Sequence, residues 1–199
     1  MMHEGGIALK KQPQITEQTK ANLRAAFWSL YTQKPIEKIS IKEITDTAGY
    51  NRGTFYLYYK DVYDIFSQIQ EEILQTIQKV IQEGISNSDT FDLSHQMGVL
   101  MELAQIHSPY VSVLLSDRGD PKFASRLKEL IWPLLKRYFV PTEGHSQYEM
   151  ELLSEFYLSG VLAALTKWLS DPQVTIDQFI TFMMPVIFPA SIHESSGPS

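Results

Sequence analysis

The chain has 199 residues, 44% of them hydrophobic, which is enough for one sizeable core or for a small domain joined to a larger one. It contains no cysteine, and this excludes disulfide bonds, thiolate metal sites and a thiol nucleophile. The net charge of −6 argues against general nucleic-acid binding, but residues 1–62 carry nine Lys and Arg against six Asp and Glu, so this segment alone is expected to attract phosphate.

The ends of the chain show no sign of export or of membrane insertion. The opening MMHEGGIALKKQPQ lacks an apolar signal-peptide core, and the uncharged run 178–193 is short and interrupted by Pro185 and Pro189. We therefore expect a cytoplasmic protein with no membrane partner. Residues 1–14 are expected to form a flexible arm and residues 191–199 a disordered tail.

Helical periodicity extends through most of the chain and predicts an all-α fold with about nine helices. The first helix is expected to start at Thr16 and to end before Pro35. Its apolar residues three or four positions apart are expected to be buried, namely Leu23, Ala26, Phe27, Leu30 and Tyr31.

Capping residues predict three further helices. Ser40 followed by Glu43 is a capping-box pattern for a second helix of about two turns, which ends at Gly49. Asn51 and Asp61 can cap a third and a fourth helix. The fourth is expected to close at Gly84, with an apolar stripe formed by Val62, Ile65, Phe66, Ile69, Ile73, Ile77, Val80 and Ile81.

The second half of the chain predicts five more helices. Pro109 and Pro121 suit first-turn positions, Asp120 is a candidate cap, and Thr175 with Gln178 forms a second capping box. The expected ranges are 92–106, 109–116, 121–139, 147–170 and 175–188.

The stretch YNRGTFYLYYKD, residues 50–61, concentrates aromatic residues around the third helix. Phe55 and Tyr59 lie four residues apart and are expected to pack inward, with Tyr50 anchoring the preceding turn. Two short helices joined by a tight turn and preceded by a supporting helix form the outline of a helix-turn-helix, whose second helix would be presented to DNA. The residues then left wholly or partly exposed are Asn51, Arg52, Thr54, Tyr56, Leu57 and Tyr58.

The segment IKEITDTAGYNRGTFYLYYKDVYDIF resembles the DNA-binding segment of the TetR family of bacterial transcriptional regulators. The similarity extends over residues 15–66 and includes the Ala-Gly turn, the basic-Gly-Thr-aromatic run and the trailing lysine. SVLLSDRGDPKFASRLKELI and EFYLSGVLAALTKWLSD are similar to the C-terminal domain of a Firmicutes-type branch, in which the DNA-binding segment commonly reads RGTFYxHYKD. The family often has histidine where Tyr58 stands.

The resemblance implies a homodimeric regulator, in most members a repressor, that a small-molecule effector releases from a double-stranded DNA operator. Residues 15–62 would form the helix-turn-helix domain, and residues 63–190 the effector-binding and dimerisation domain. No cofactor is implied. Carried over by position, the residues that would approach bases or backbone are Lys42, Arg52, Gly53 and Thr54, with the exposed Asn51 beside them. The residues that would hold phosphates are Tyr56, Tyr58 and Lys60.

A pocket for a small apolar or aromatic effector would use adaptable methionine and aromatic side chains of the C-terminal half. Taken singly, each of these residues is better explained as core, and His107 as a structural histidine, but the set as a whole favours a cavity. The candidates are Met97, Met101, His107, Tyr110, Trp132, Phe156 and Tyr157.

Small and bulky residues alternate in FYLSGVLAALTKWL, residues 156–169, which would let another helix approach closely. Together with the apolar last helix, this pattern favours a four-helix dimer interface across a two-fold axis; packing within one subunit is the alternative. The candidates are Ser159, Gly160, Ala163, Ala164, Trp168, Phe179 and Met183.

Two other functional classes compete with a DNA-binding regulator. An enzyme lacks support because the sequence has no nucleophile motif, no Gly-rich phosphate loop and no histidine pair spaced for a metal. A helical ligand-binding or adaptor protein with an inactive helix-turn-helix is the remaining alternative. The intact run from Arg52 to Lys60 argues against it, and a DNA-binding test decides between the two.

Overall fold

The computed structural model describes residues 13–86, 93–116, 118–139 and 144–187. Within these ranges the chain forms nine α-helices, one short 3-10 helix at Ile36–Lys38 and no strand, which confirms the predicted all-α fold. The helices are α1 (Pro13–Tyr31), α2 (Ile41–Ala48), α3 (Arg52–Tyr56), α4 (Val62–Ser86), α5 (Leu93–Ile106), α6 (Ser108–Leu114), α7 (Pro121–Phe139), α8 (Gln147–Ser170) and α9 (Ile176–Ile187).

The chain divides into two compact units, Met1–Ile69 and Gln70–Ser199, and the boundary falls inside α4. Of the arm expected over residues 1–14, residues 1–12 lie outside the described part, and the expected tail over residues 191–199 also lies outside it. None of the described helices is long and apolar enough to cross a membrane.

Two helix ends differ from the prediction. The first helix starts at Pro13 and not at Thr16. Proline is well tolerated in the first turn, because the N–H that it lacks would have no carbonyl partner within the helix. The prediction that Gly84 ends α4 is also wrong, since this helix continues to Ser86. Glycine inside a helix costs only about 1 kcal/mol relative to alanine, too little to stop a helix of this length.

The first unit is held by aromatic packing between α1 and the start of α4. The Phe27 ring stacks on Tyr31 with centroids 5.7 Å apart, and Phe66 lies 4.8 Å from Tyr31 and 6.0 Å from Phe27. Such ring pairs add roughly 0.5–1.5 kcal/mol each beyond the area that they bury. Leu30, expected to be buried, is only half-buried, while the neighbouring Trp28 is buried.

The core of the second unit lies between α5, α8 and α9. The Trp168 ring stacks on Phe179 with centroids 5.0 Å apart, and Met101 and Leu165 are buried beside them. The Trp168 indole N–H donates to the Val174 carbonyl at 3.0 Å, which satisfies its polar atom and fixes the turn between α8 and α9.

Two polar contacts join α4 to α7 within the second unit. Gln70 is buried, and its Nε2 donates to Asp120 Oδ2 at 3.2 Å. The next residue on α4, Glu71, pairs with α7: its Oε2 lies 2.7 Å from Arg126 Nη2. This hydrogen bond lowers the pKa of the Glu71 carboxyl. Since Asp120 Oδ1 also accepts from the Lys122 N–H at 2.9 Å, one carboxylate both caps α7 and holds α4.

Candidate nucleic-acid interface

The start of α2 is fixed by the predicted capping box. Glu43 Oε2 accepts from the Ser40 N–H at 3.0 Å and from its hydroxyl at 2.9 Å, while Glu43 Oε1 accepts from Lys34 Nζ at 2.5 Å. The hydrogen bond from Lys34 and those from Ser40 lower the pKa of Glu43 to about 2. The carboxylate therefore ties the start of α2 to the loop that follows α1.

The turn between α2 and α3 depends on Gly49. Its φ of 75° lies in the left-handed region, which L side chains avoid, and it ends α2 at that point. The next residue, Tyr50, donates its N–H to the Thr45 carbonyl at 2.9 Å, and its hydroxyl accepts from Asn22 Nδ2 at 3.0 Å. The predicted role of Tyr50 as the anchor of this turn is thus carried by a hydrogen bond to α1.

The short helix α3 is held from two sides. Asn51 Oδ1 accepts from the Thr54 N–H at 2.9 Å, which confirms the predicted cap. Phe55 and Tyr59 are both buried as predicted, with ring centroids 5.5 Å apart. A five-residue helix is too short to be stable alone, so burial of these two rings keeps it in place.

The outer face of α3 carries a guanidinium, a phenol and an aliphatic side chain. Arg52 is exposed, Tyr56 is 56% exposed and Leu57 is 63% exposed. Phe55 and Tyr59 point into the core of the unit, and these three side chains lie on the solvent side. Such a face combines an arginine fork, a hydroxyl and an apolar contact, the groups that read base edges and thymine methyls.

The other predicted DNA-binding residues surround this face. Asn51, Gly53 and Lys60 are exposed, whereas Thr54 and Tyr58 are half-buried. A Cβ on Gly53 would lie 3.1 Å from Asn51 Oδ1, so glycine here also leaves room for the cap.

Lys42 on α2 has a competing partner that the sequence analysis missed. Its ammonium lies 2.6 Å from Asp46 Oδ2, one turn further along the exposed side of α2. By contrast, neither Arg52 nor Lys60 forms an ion pair with any of the described residues. These two cations are therefore available to bind phosphate, whereas the Lys42 ammonium must first break its ion pair with Asp46.

Tyr63 on the first turn of α4 was missed as a candidate. It is exposed and lies three residues after Lys60. The signal was present, because Tyr63 falls outside the apolar stripe that begins with Val62, Ile65 and Phe66. A tyrosine hydroxyl at such a position is a group that can donate to phosphate.

The second unit contains an apolar pocket with about 820 Å³ of atom-free space, part of it open to solvent. Helices α4, α5, α6, α7 and α8 all contribute side chains to it. Two predicted effector residues, Met101 and His107, line this pocket. The side chain of a third, Met97, lies outside the described residues.

The remaining predicted effector residues lie elsewhere. Trp132 lines a separate, polar groove with Lys136 and Glu151, and Phe156 is 74% exposed. Tyr110 and Tyr157 are half-buried and belong to neither lining.

The predicted dimer residues divide between core and surface. Trp168 and Phe179 are stacked in the core of their own unit. Ala164 and Met183 are half-buried against the same core. Ser159, Gly160 and Ala163 are exposed along α8. Large apolar side chains join them at the surface of α8 and α9, namely Leu152, Phe156, Phe182 and Val186.

Comparison with known proteins assigns this architecture. The TetR_C_8 family model, described as a transcriptional regulator C-terminal region, matches residues 92–187. A helix-turn-helix unit precedes that region. This match assigns residues 92–187 to the TetR family.

Two curated relatives of the chain are HTH-type transcriptional regulators. YxbF of Bacillus subtilis is 27% identical over 108 residues, and AcrR of Shigella flexneri is 32% identical over 62 residues. These matches cover 53% and 31% of the present chain. They span only 28% and 29% of the length of the two relatives.

A TetR transcriptional regulator from Streptococcus agalactiae has the same fold. The two structures superpose with a TM-score of 0.64 at 20% identity, over 88% of this chain and 96% of the other. The matched family model and both curated relatives are thus described as transcriptional regulators. Within the described ranges, no three metal-ligating side chains cluster closely enough to hold an ion.

Proposed function

We propose that this protein binds DNA sequence-specifically and that α3 is its recognition helix. The observation that carries the proposal is the two-sided character of α3, with Phe55 and Tyr59 buried and Arg52, Tyr56 and Leu57 exposed. The exposed Leu57 side chain and the apolar ring of Tyr56 are unfavourable in water. They gain from a groove that offers acceptors and methyl groups.

Phosphate contacts would then position the recognition helix. Lys60 lies two residues before α4 and Tyr63 lies on its first turn, and both are exposed. Contacts of this kind fix the register of a protein on the duplex, and they make the affinity fall steeply with salt.

We further propose that two copies associate through α8 and α9. Leu152, Phe156 and Ala163 are four and seven residues apart and lie along one exposed face of α8, while Phe182 and Val186 are four apart on α9. Exposed apolar side chains in this density mark an interaction surface in a soluble protein. A two-fold axis would join these faces into a four-helix interface and place two recognition helices about 34–36 Å apart, or a multiple of this, on a palindromic site.

The dimer surface is tested by sedimentation of charged variants at micromolar concentration. Phe156→Glu and Phe182→Glu are expected to yield monomers, because each places a carboxylate in the apolar interface. Ile106→Glu is the matched control, since Ile106 at the end of α5 is 72% exposed but lies on neither helix. A wild-type monomer, or dimers in both variants, would contradict the assignment.

An effector would act through α4. This helix starts two residues after Lys60 and contributes Ile73, Thr76 and Ile77 to the apolar pocket. A ligand that binds one placement of α4 more tightly than another must shift the protein toward that placement, and DNA affinity changes with it. We propose that the free protein represses and that the ligand releases it from its operator.

The test of DNA recognition is selection of genomic fragments on the purified protein at near-physiological salt. Wild type is expected to enrich a few palindromic fragments, and Arg52→Ala to lose at least about fivefold in affinity for them. Lys79→Ala is the matched control, because it removes the same charge from an exposed position of α4. Wild-type enrichment no better than that of Arg52→Ala would refute the role of α3.

A further inference from the structure

No Lys, Arg, Asp or Glu is among the described residues that line the apolar pocket of the second unit. Thirteen of these fifteen residues are aliphatic, methionine or phenylalanine, including Ile73, Leu103, Phe123 and Leu127. Among the fifteen, only Thr76 and His107 bring side-chain polar atoms to the pocket. An ionised ligand group placed there would lose its hydration without gaining an opposite charge, which is strongly unfavourable.

The two polar side chains have limited capacity. The Thr76 hydroxyl donates to the Glu72 carbonyl at 2.8 Å, so it can offer a ligand only its acceptor lone pairs. The His107 side chain does not cap α6, and a neutral imidazole offers one donor and one acceptor. Together they can satisfy one or two uncharged polar groups.

The two cations that flank the lining residue Leu127 on α7 are already engaged. Arg126 and Lys128 flank Leu127 in the sequence, but Arg126 lies 2.7 Å from Glu71 Oε2 and Lys128 contacts Glu155 and Ser159. To pair with an anionic ligand, either cation would have to break its existing ion pair. In their present positions, these two cations therefore give no compensation for a carboxylate or a phosphate.

We propose that the effector is a neutral, predominantly hydrocarbon molecule with no more than one or two uncharged hydroxyl or carbonyl groups. Carboxylates, phosphates and ammonium compounds are discriminated against by the cost of burying their charge. This inference rests on the proposed effector role of the pocket, but it concerns binding alone and can be tested without DNA.

The test compares three probes of equal chain length, 1-decanol, decanoate and decylammonium, at about pH 7.5, where both charged probes are ionised. Binding to the full-length protein is followed by thermal stabilisation and by titration of tryptophan fluorescence. We expect 1-decanol to bind at least about tenfold more tightly than either ion. Equal or tighter binding of decanoate or decylammonium, or no binding of 1-decanol, would overturn the proposal.

One pair of matched variants locates the binding in this pocket. Thr76→Val removes an acceptor with almost no change in volume and is expected to weaken 1-decanol binding roughly three- to tenfold. Thr166→Val is the matched control, because its hydroxyl donates to the Leu162 carbonyl at 2.7 Å in the same way but does not line the pocket. Equal affinities in the two variants would remove Thr76 from the site.

A variant that introduces a positive charge at the pocket is expected to gain affinity for a carboxylate. Leu103 is half-buried, so the stem of a lysine at this position can lie along the apolar wall while its ammonium remains solvated at the rim. Leu103→Lys is expected to reverse the preference of the protein from 1-decanol to decanoate. Binding of the operator by the unliganded variants, measured in parallel, separates failure of the ligand proposal from failure of the DNA-binding proposal.

Discussion

Replacement of Gly49 by alanine isolates the energetic cost of one backbone conformation. Gly49 has a φ of 75°, and a Cβ added there would meet no other atom within 4 Å. The substitution therefore introduces no steric clash with neighbours, and its whole effect comes from placing an L residue in the left-handed region. That cost is about 1 kcal/mol, reduced slightly by the greater freedom that glycine has in the unfolded chain.

Gly98→Ala is the matched control for this experiment. A Cβ at Gly98 also meets nothing within 4 Å, but the residue lies in α5 with no left-handed φ. Alanine at a helical position is favoured over glycine, so the control is expected to stabilise the protein by roughly 0.5–1 kcal/mol. The same chemical change thus has opposite signs at the two positions.

The assay is denaturant unfolding followed by circular dichroism, with thermal unfolding as a second measurement. A loss of about 1 kcal/mol corresponds to a fall in Tm of about 4–8 °C for a unit the size of Met1–Ile69. The reasoning is refuted if Gly49→Ala is as stable as wild type, because the turn would then accept an ordinary backbone conformation.

Three further outcomes are expected. Glu43→Gln should lower Tm at neutral pH and match wild type near pH 2. The reason is that a carboxyl whose folded pKa is about 2 instead of 4.5 stabilises the fold above pH 4.5 and loses that effect as pH falls through 2. A difference in Tm between variant and wild type that does not change with pH would contradict this. Gly119→Ala should destabilise the second unit by more than about 2 kcal/mol in denaturant unfolding, since its Cβ would lie 1.9 Å from the Leu114 carbonyl oxygen; wild-type stability would contradict it. Lys60→Ala should reduce the salt dependence of operator affinity by about one unit of slope, whereas Arg52→Ala should alter base preference at one position; an unchanged slope would remove Lys60 from the phosphate contacts.

Local signals accounted for most of the helix-turn-helix. Ser40, Asn51 and Asp61 are all N-caps whose hydrogen bonds reach only three residues ahead, so the sequence alone contains both partners. The inward packing of Phe55 and Tyr59 followed from helical spacing in the same way. The ion pair between Lys42 and Asp46 was accessible to the same reasoning but was missed.

The faces of α8 were not predictable from pattern alone. This helix is apolar on several sides, so Phe156 and Trp168 were equally good candidates for an exposed or a buried position. Tertiary packing decides between them: Trp168 stacks on Phe179 and donates to Val174, while Phe156 is left in solvent. Likewise, burial of Gln70 follows from its partner Asp120, fifty residues away.

The construction of α3 separates the residues that hold it from the residues that would read DNA. Gly49, Asn51, Phe55 and Tyr59 supply the turn, the cap and the buried anchors, and the outward side chains at Arg52, Tyr56 and Leu57 contribute little to folding. Substitution at the outer positions should therefore change the preferred operator without loss of stability. On the proposed role of α3, mutations at these three positions alone would give the protein new target genes in evolution. Randomising the same three codons would likewise change its DNA target by design.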